Sequence, residues 1–284
     1  MANLRDIKKR IASVKNTQQI TKAMYMVSAA KLRRAEEAIK AALPYSEKLK
    51  MIMSSIFARI ENKEHPLLVE REPRNVLIVG IASDRGLCGS FNNHLLKEIN
   101  NFMNENNYNF SAIAIGRKVR DFFKKRDVKL ISQYEGVANA DYSSAASISD
   151  TICKLYKEEE IDRVYIVYNH FVSAISQKLQ FDQILPVEPE DLETEQYVVE
   201  YLTEPSLNEI LDVIIPKYIA NDIYTAWLDS IASEHAARMT SMDNATKNAS
   251  EMIDKLTLLF NRVRQATITK ELMEIIGGKE ALEG

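Results

Sequence analysis

The loop after the first predicted strand holds the residues whose types and spacing are best suited to chemistry. It reads Ser83-Asp-Arg-Gly-Leu-Cys-Gly-Ser-Phe-Asn92, with glycines at 86 and 89. A phosphate-binding loop in this position has the pattern GxGxxG, or GxxxxGK followed by Ser or Thr. This loop has two glycines three residues apart and no lysine directly after them, so it matches neither pattern. The sequence predicts a tight strand-to-helix turn here and no cofactor-binding residues.

Other catalytic and metal-binding patterns are also missing from the sequence. Glu234 precedes His235, but no HExxH follows, and nothing near Cys88 and His94 would orient a base for a thiol nucleophile. The cysteines lack CxxC spacing, so Cys88 and Cys153 are predicted to be free thiols. We expect no catalytic residues and no metal site. The four histidines share no ligand spacing: His65, His94, His170 and His235.

The middle of the chain alternates predicted strands and helices. This order is typical of a mostly parallel, doubly wound sheet, so we predict a Rossmann-like α/β head over residues 63–205. A further strand over 178–185 would form a hairpin with the fourth strand, and a short one would follow at 197–202. The predicted strands are 75–82, 111–115, 128–132 and 163–168, and the predicted helices are 91–103, 117–125 and 144–159.

The N-terminal segment, residues 1–62, reads as a long helix with a heptad seam. Its apolar and small residues recur at alternating steps of three and four, which is the pattern of a coiled coil. Pro44 is expected to kink or break this helix, because proline lacks a backbone donor. The seam reads Leu4, Ile7, Ile11, Val14, Gln18, Thr21, Tyr25, Ser28, Leu32, Ala35, Ile39, Ala42, Leu49, Met53, Ile56 and Ile60.

The C-terminal segment, residues 206–284, has the same alternating three- and four-residue spacing of apolar and small residues. We therefore predict that the two end helices form a long antiparallel coiled coil. Pro216 is expected to disturb the second helix near its start, and Gly277-Gly278 to end it. The predicted seam reads Met242, Ala245, Ala249, Met252, Leu256, Leu259, Val263 and Ala266.

Apolar residues also lie off the first seam, at Ile20, Met24 and Val27. Two interpretations are open. The seam drifts around the helix, or a second face of the helix meets an enclosing protein. Polar residues on the seam itself, such as Gln18 and Thr21, would fix its register.

Charge is unevenly distributed along the chain. Residues 1–60 hold 13 Lys and Arg against 4 Asp and Glu, a net charge of +9. Because the whole chain has a net charge of −3, the other 224 residues have a net charge of −12. This asymmetry indicates either a negatively charged partner around the N-terminal helix or simply a solvated helix face. No apolar run approaches the ~20 residues of a membrane span, and no signal-peptide pattern is seen, so we expect a cytosolic chain.

Three segments together resemble one family, the gamma subunit of the F-type (F1Fo) ATP synthase of bacteria. They lie in the family's order, and with the matching architecture the resemblance covers essentially the whole chain. The segments are Ile11-Ala-Ser-Val-Lys-Asn-Thr-Gln-Gln-Ile-Thr-Lys-Ala-Met24, Ser83-Asp-Arg-Gly-Leu-Cys-Gly89, and Ser233-Glu-His-Ala-Ala-Arg-Met239 with Asn261-Arg-Val-Arg-Gln-Ala-Thr-Ile-Thr-Lys-Glu271.

The resemblance implies a non-catalytic rotor subunit without cofactors. Its partners would be three alpha and three beta subunits, the epsilon subunit and the ring of c subunits, with no nucleic acid. The chain would couple ion-driven rotation of the c ring to conformational cycling of the beta subunits. It would lie at the cytoplasmic face of the bacterial inner membrane and meet the membrane only through the complex.

The resemblance also carries roles to individual residues. Contacts with beta subunits are expected at Lys22, Met24, Arg85, Cys88, Arg238, Arg264, Gln265 and Thr269. Contacts with epsilon and the c ring are expected at Tyr201, Thr203 and Glu204.

Two other functions are weighed against this one. A nucleotide-dependent enzyme could use the central sheet, an interpretation that depends on fold analogy alone. A basic coiled-coil adaptor could bind nucleic acid through the +9 excess, although few aromatic residues lie among its charges.

Overall fold

The computed structural model describes residues 4–57, 65–138, 140–187 and 207–283. Long helices begin and end this part of the chain, and an α/β region lies between them. The elements are α1 Leu4–Phe57, β1 Asn75–Ile81, α2 Phe91–Glu105, β2 Asn109–Ile115, α3 Arg117–Lys124, β3 Lys129–Tyr134, α4 Tyr142–Lys157, β4 Arg163–Phe171, β5 Gln177–Leu185 and α5 Leu207–Glu283.

The chain divides into two compact units. The first consists of Met1–Ser28 and Met239–Gly284, and the second of Ala29–Arg238. Both α1 and α5 contribute residues to each unit. The described residues of the first unit are therefore all helical and belong to these two elements, and the second unit contains the five-stranded sheet.

The second unit contains a five-stranded sheet in the order β3-β2-β1-β4-β5. The β1–β2, β1–β4 and β2–β3 pairs are parallel, and β5 returns antiparallel to β4. This confirms the predicted mostly parallel sheet and its terminal hairpin. The third strand ends two residues later than predicted, at Tyr134, and the predicted strand at 197–202 lies outside the described residues.

Strand β1 lies at the centre of the sheet and is buried on both faces, as expected for a continuous run of β-branched and aliphatic residues in a parallel sheet. Helices α2 and α3 cover one face, where Phe123 and Ile99 pack on Val76 and Ile78. At Gly116 the turn from β2 into α3 adopts φ +105°, and a Cβ there would lie 2.0 Å from the Ala82 carbonyl oxygen. Only glycine fits this turn.

The helix pair of the first unit buries the predicted seam of α1 at Ile7, Thr21 and Ser28, while Tyr25 is exposed. On α5 the predicted seam is partly wrong. Met242, Ala249, Leu256 and Val263 face inward, but Met252, Leu259 and Ala266 are exposed. The intervening inward positions are Thr246, Ile253, Phe260 and Thr267, each one residue later than predicted.

The reason for this error is visible at Thr246. Its hydroxyl lies 2.8 Å from the hydroxyl of Thr21 across the helix pair. A polar residue therefore occupies the seam because its partner satisfies it, while the neighbouring alanine, Ala245, is not needed there. This pair confirms that a polar residue lies on the seam at Thr21. That such residues specify how the two helices align stays a prediction.

Neither proline breaks its helix, and the two glycines do not end α5. Helix α1 continues through Pro44 to Phe57, and α5 continues through Pro216 to Glu283. Around Pro44 the helix is held by packing, since Leu49 is buried and the Asn221 side chain donates to the Ser46 hydroxyl at 3.0 Å. A glycine stop requires the left-handed conformation, which neither Gly277 nor Gly278 adopts.

In the second unit, α1 and α5 run antiparallel. Ser46 of α1 bonds to Asn221 of α5, and Lys31 lies close enough to Glu234 to influence its carboxyl electrostatically. Over the described part of the chain, no helix combines the length and the apolar character that crossing a membrane requires.

We predict that Thr21→Val lowers the free energy of unfolding by about 1 kcal/mol, because it removes the hydrogen bond between the Thr21 and Thr246 hydroxyls across the helix pair. Thr21→Val combined with Thr246→Val should recover part of this loss, since both polar partners are then gone. Urea unfolding followed by far-ultraviolet circular dichroism measures the effect. Thr257→Val is the matched control, because this exposed hydroxyl donates to the Ile253 carbonyl of its own helix. Equal losses in the single, double and control variants would contradict the prediction.

Candidate functional site

The candidate site lies at the carboxyl edge of the sheet, where α5 crosses the ends of the strands. Ser230 donates to the carbonyl of Ile81 at the end of β1, and Ser233 donates to the carbonyl of Asn169 on β4 at 2.9 Å. The indole of Trp227 donates to the carbonyl of Val137 at 3.0 Å, just beyond β3. One stretch of α5 thus satisfies carbonyl groups along the edge.

This edge is where a doubly wound sheet ordinarily binds its ligand. The strand order reverses between β1 and β4, and the crevice outside the carboxyl ends of such strands is the usual ligand position. Here that position is filled by α5, whose small residues Ala232, Ser233 and Ala236 are completely buried. The nucleotide-enzyme hypothesis therefore loses the location on which its fold analogy depends.

The β1–α2 loop is fixed at one side by Asp84. One carboxylate oxygen accepts the backbone N–H of Arg117 at the start of α3, at 3.0 Å. The other accepts the backbone N–H groups of Gly136 and Val137, each at 3.0 Å. This carboxylate acts as a scaffold because it satisfies three backbone donors from two neighbouring turns.

Cys88 belongs to the interior of the same loop. Its side chain is 1% exposed, and the Asn92 amide donates to its sulfur at 3.1 Å. The side-chain amide oxygen of Asn92 accepts the backbone N–H of Ser83 at 3.1 Å and lies 2.9 Å from the Ser83 hydroxyl oxygen. Burial raises the pKa of the Cys88 thiol, so it stays protonated and is a poor nucleophile.

The side chain of Arg238 connects α5 to the β1–α2 loop. Its guanidinium donates to the Glu234 carboxylate at 2.6 Å, and both side chains are almost completely buried. The other arm donates to the carbonyls of Arg85 at 3.4 Å and Gly86 at 3.2 Å. Burial raises the pKa of Glu234, while the charge of Arg238 acts in the opposite direction.

His235 lies beside this ion pair and is buried. Desolvation lowers the pKa of His235 to about 4, and the positive charges of Arg238 and Lys31 act in the same direction. The ring is neutral at pH 7, with its Nδ1 atom 3.5 Å from the Arg238 guanidinium. The ring packs beside the ion pair and carries no positive charge near neutral pH.

The tip of the loop faces outward. The side chain of Arg85 is exposed, and Leu87 is 64% exposed with a left-handed φ of 63°. Gly89 also adopts positive φ, as a tight turn requires, whereas Gly86 does not, so its predicted turn role is not needed. The sequence interpretation missed Leu87, although an apolar residue between two loop glycines was the available signal.

The sequence interpretation also missed Glu234 as the partner of Arg238. Their spacing of four residues on a helix was the available signal. The structure thus brings Arg85, Cys88 and Arg238 into one cluster, but only Arg85 points its side chain outward.

The remaining expected contact residues of the described chain lie in the first unit. Lys22 is exposed and Met24 is half-buried on α1. Arg264, Gln265 and Thr269 are exposed on α5, where the Thr269 hydroxyl donates to the Gln265 carbonyl at 2.9 Å. The other expected contacts lie outside the described residues: Tyr201, Thr203 and Glu204.

Large apolar side chains are exposed along the same helix pair. Ile20 is 60% exposed and Val27 57%, which agrees with a second apolar face on α1 and not with a drifting seam. The last part of α5 is similar, and its exposed apolar residues are Leu258, Leu259, Ile268, Leu272, Met273, Ile275 and Ile276.

Among the described residues, no group of three or more His, Cys, Asp or Glu side chains is arranged to hold a metal ion. The helix pair of the first unit presents exposed guanidinium, amide and hydroxyl groups beside exposed apolar side chains.

We predict that acid destabilises the chain partly through His235. Its pKa is near 4 in the folded chain and about 6.5 when unfolded, so only the unfolded state gains a proton as pH falls between these values. Between pH 7 and 5 the wild type should lose about 2 kcal/mol more stability than His235→Gln. Urea unfolding at a series of pH values tests this. Parallel curves for the two proteins would show that His235 does not carry the effect.

Comparison with known proteins follows the whole length of the chain. The family described as ATP synthase matches residues 3–282. The ATP synthase gamma chain of Pelotomaculum thermopropionicum is 48% identical over 284 residues, covering 100% of both chains. That of Geobacter metallireducens is also 48% identical, over 288 residues and 100% of both chains.

Two solved structures are similar to this one. The central stalk and c-ring structure of the Tetrahymena thermophila mitochondrial ATP synthase contains a chain with TM-score 0.62 and 29% identity, covering 80% of this chain and 99% of that one. A chain in the OSCP/F1/c-ring structure of the Euglena gracilis enzyme has TM-score 0.71 and 22% identity, covering 98% and 94%. The second likeness shows the fold alone. On its full-length identity to the bacterial relatives, this chain belongs to the ATP synthase gamma chain family.

Proposed function

We propose that this chain is the central rotor stalk subunit of a bacterial F1Fo ATP synthase. It couples ion-driven rotation of the c ring to conformational cycling of the catalytic beta subunits, in synthesis or hydrolysis of ATP. The observation that carries this proposal is 48% identity, from end to end of both chains, to bacterial ATP synthase gamma chains. The chain that resembles it at 29% identity comes from a central stalk and c-ring assembly.

The exposed surface of the first unit supports this role. Contiguous apolar side chains on a soluble protein mark a surface that meets another protein. On α1 such residues include Ile20 and Val27, and on α5 Leu272, Met273 and Ile275 are more than half exposed. The surrounding lysines and arginines of α1 add positive charge to this surface. A ring of alpha and beta subunits enclosing these helices would cover both kinds of side chain.

The proposed mechanism is one of differential contact. A helix pair whose faces differ in charge and apolarity presents a different face to each of three beta subunits. A contact shifts a conformational equilibrium only by as much as its free energy differs between the two states. Rotation would therefore change the relative stability of each beta conformation in turn. The chain itself makes and breaks no bond, and we propose that it is a non-catalytic subunit.

The proposed partners are three alpha subunits, three beta subunits, epsilon and the c ring. The chain would lie at the cytoplasmic face of the inner membrane and associate with the membrane only through these partners. We also propose that the chain is divided into three parts: an N-terminal helix over 1–62, a head over 63–205 and a C-terminal helix over 206–284.

We propose beta-subunit contacts at exposed or half-exposed side chains of both units. Gln265, Thr269 and Arg264 are accessible polar groups on one stretch of α5, and arginine suits carboxylate or carbonyl partners. The other such residues are Lys22, Met24 and Arg85. Cys88 and Arg238 contribute indirectly, because their side chains are directed inward. Cys88 belongs to the β1–α2 loop, and Arg238 donates to two carbonyls of that loop from α5. Contacts with epsilon and the c ring are proposed at Tyr201, Thr203 and Glu204.

The assembly itself is the first test. The tagged chain, purified from its own host under mild conditions, should appear in native mass spectrometry as one copy with three alpha and three beta subunits. A chain found alone or as a homodimer, with detergent and nucleotide controls clean, would contradict the rotor function.

The α5 contacts give a second prediction. Gln265→Ala and Arg264→Ala should each lower coupled ATP synthesis about fivefold, the effect of losing ~1 kcal/mol of polar interaction, while the complex still assembles. Synthesis is measured in membrane vesicles with a defined ion gradient. Lys255→Ala, which removes an exposed side chain of the same helix, is the control. Wild-type rates in both test variants would remove these residues from the coupling surface.

A further inference from the structure

We propose that Arg238 is a positioning residue that anchors the β1–α2 loop, residues 83–89, so that Arg85 and Leu87 are held outward in one orientation. This inference depends on the proposed function only for what the loop meets. It assigns Arg238 an internal role in place of the direct partner contact expected from the family resemblance.

The Arg238 guanidinium is already engaged within the chain. Its side chain is 10% exposed, one arm donates to the Glu234 carboxylate, and the other reaches two loop carbonyls. An arginine has five donors and no acceptor, so these bonds use both ends of its fork. A partner would have to displace them before it could bind the same group.

The loop itself is held in one conformation by contacts at both ends. The Arg85 carbonyl that receives the guanidinium also accepts the Ser83 hydroxyl at 2.6 Å. Leu87 adopts a left-handed conformation, which for a non-glycine residue costs of order 1 kcal/mol and persists only where surrounding contacts hold it. The hydrogen bond from the Asn92 amide to the Cys88 sulfur holds the end of the loop next to α2. The hydrogen bonds from Arg238 to the Arg85 and Gly86 carbonyls hold the part that follows β1.

The anchoring position requires arginine and not lysine. A lysine could pair with Glu234, but its single ammonium group lacks the planar fork that reaches a carboxylate and two carbonyls together. Holding the loop before it meets a partner avoids paying the ordering entropy at that moment, so anchoring strengthens a contact that Arg238 never touches.

The test uses the reactivity of Cys88, which is buried only while the loop is closed. The purified full-length chain is treated with N-ethylmaleimide, and modification of each cysteine is followed by peptide mass spectrometry. Cys153 is the internal reference, because it is buried in α4, away from the loop. If it keeps its slow rate, the second unit is folded.

Two variants separate the anchor from the buried charge. Arg238→Lys retains a positive charge for Glu234 but loses the fork. Arg238→Gln combined with Glu234→Gln removes both charges, so that no unpaired carboxylate is left buried. Lys247→Gln is the matched control, since it breaks an exposed ion pair with Asp243 on the same helix.

We expect N-ethylmaleimide to modify Cys88 about tenfold faster in both test variants than in the wild type, because hydrogen bonds from a charged donor are lost. The modification rate of Cys153 should be unchanged. The control should resemble the wild type. Unchanged modification of Cys88 would overturn the proposal, and so would equal acceleration at both cysteines, which would mean that Arg238 stabilises the whole unit.

A second readout keeps this inference distinct from the proposed function. The alkylation assay needs no partner, so it tests the anchor even if the assembly is not the one proposed. Coupled ATP synthesis by Arg238→Lys complexes, assembled in normal amount, tests the consequence. A lower rate together with faster Cys88 modification supports the positioning role. A normal rate together with faster modification would mean that loop orientation does not matter for coupling, and would overturn it.

Discussion

The hydrogen bonds between α5 and the carboxyl edge of the sheet are the interaction on which the second unit depends. Ser230, Ser233 and Trp227 each donate to a carbonyl at this edge, and Arg238 donates to two more in the adjoining loop. Buried carbonyls need partners, and in many α/β proteins ligands or water supply them. Here a helix supplies them permanently. The same contact closes the ligand crevice, orders the loop and fixes one stretch of α5 against the sheet.

The first unit depends on a different balance. Two helices bury a narrow seam that contains threonine, serine and small residues, and they leave much of their apolar surface exposed. A seam of this kind gives less hydrophobic stabilisation than one built of leucine, because fewer apolar atoms leave water. Its advantage is specificity, since the hydrogen bond between the Thr21 and Thr246 hydroxyls forms in one alignment only. The exposed apolar side chains then become available to stabilise contacts with other proteins.

Most of the sheet could be predicted from the sequence, because its strands are short apolar runs separated by amphipathic helices. Most of the α1 seam was also predictable, since its heptad pattern is continuous, although Tyr25 is exposed and Ile60 lies outside the described residues. Sequence periodicity was insufficient on α5, where two phases one residue apart are both apolar and only the partner helix decides between them. Pro44 and Pro216 illustrate the same limit, since local propensity favours a break and tertiary packing overrides it. For the candidate site, the family resemblance singled out Arg85 and Arg238, but whether each side chain faces outward or inward depends on long-range contacts that no local pattern encodes.

The position of Trp227 has a spectroscopic consequence. It is the single tryptophan of the chain, it is buried, and its indole bonds to the Val137 carbonyl at the edge of the sheet. Intrinsic emission excited at the red edge of tryptophan absorption therefore originates from one place, the contact between α5 and the sheet. Solvent entering that contact would shift the emission to longer wavelength. Trp227 is therefore an intrinsic fluorophore that reports on the contact between α5 and the sheet, on which the second unit depends.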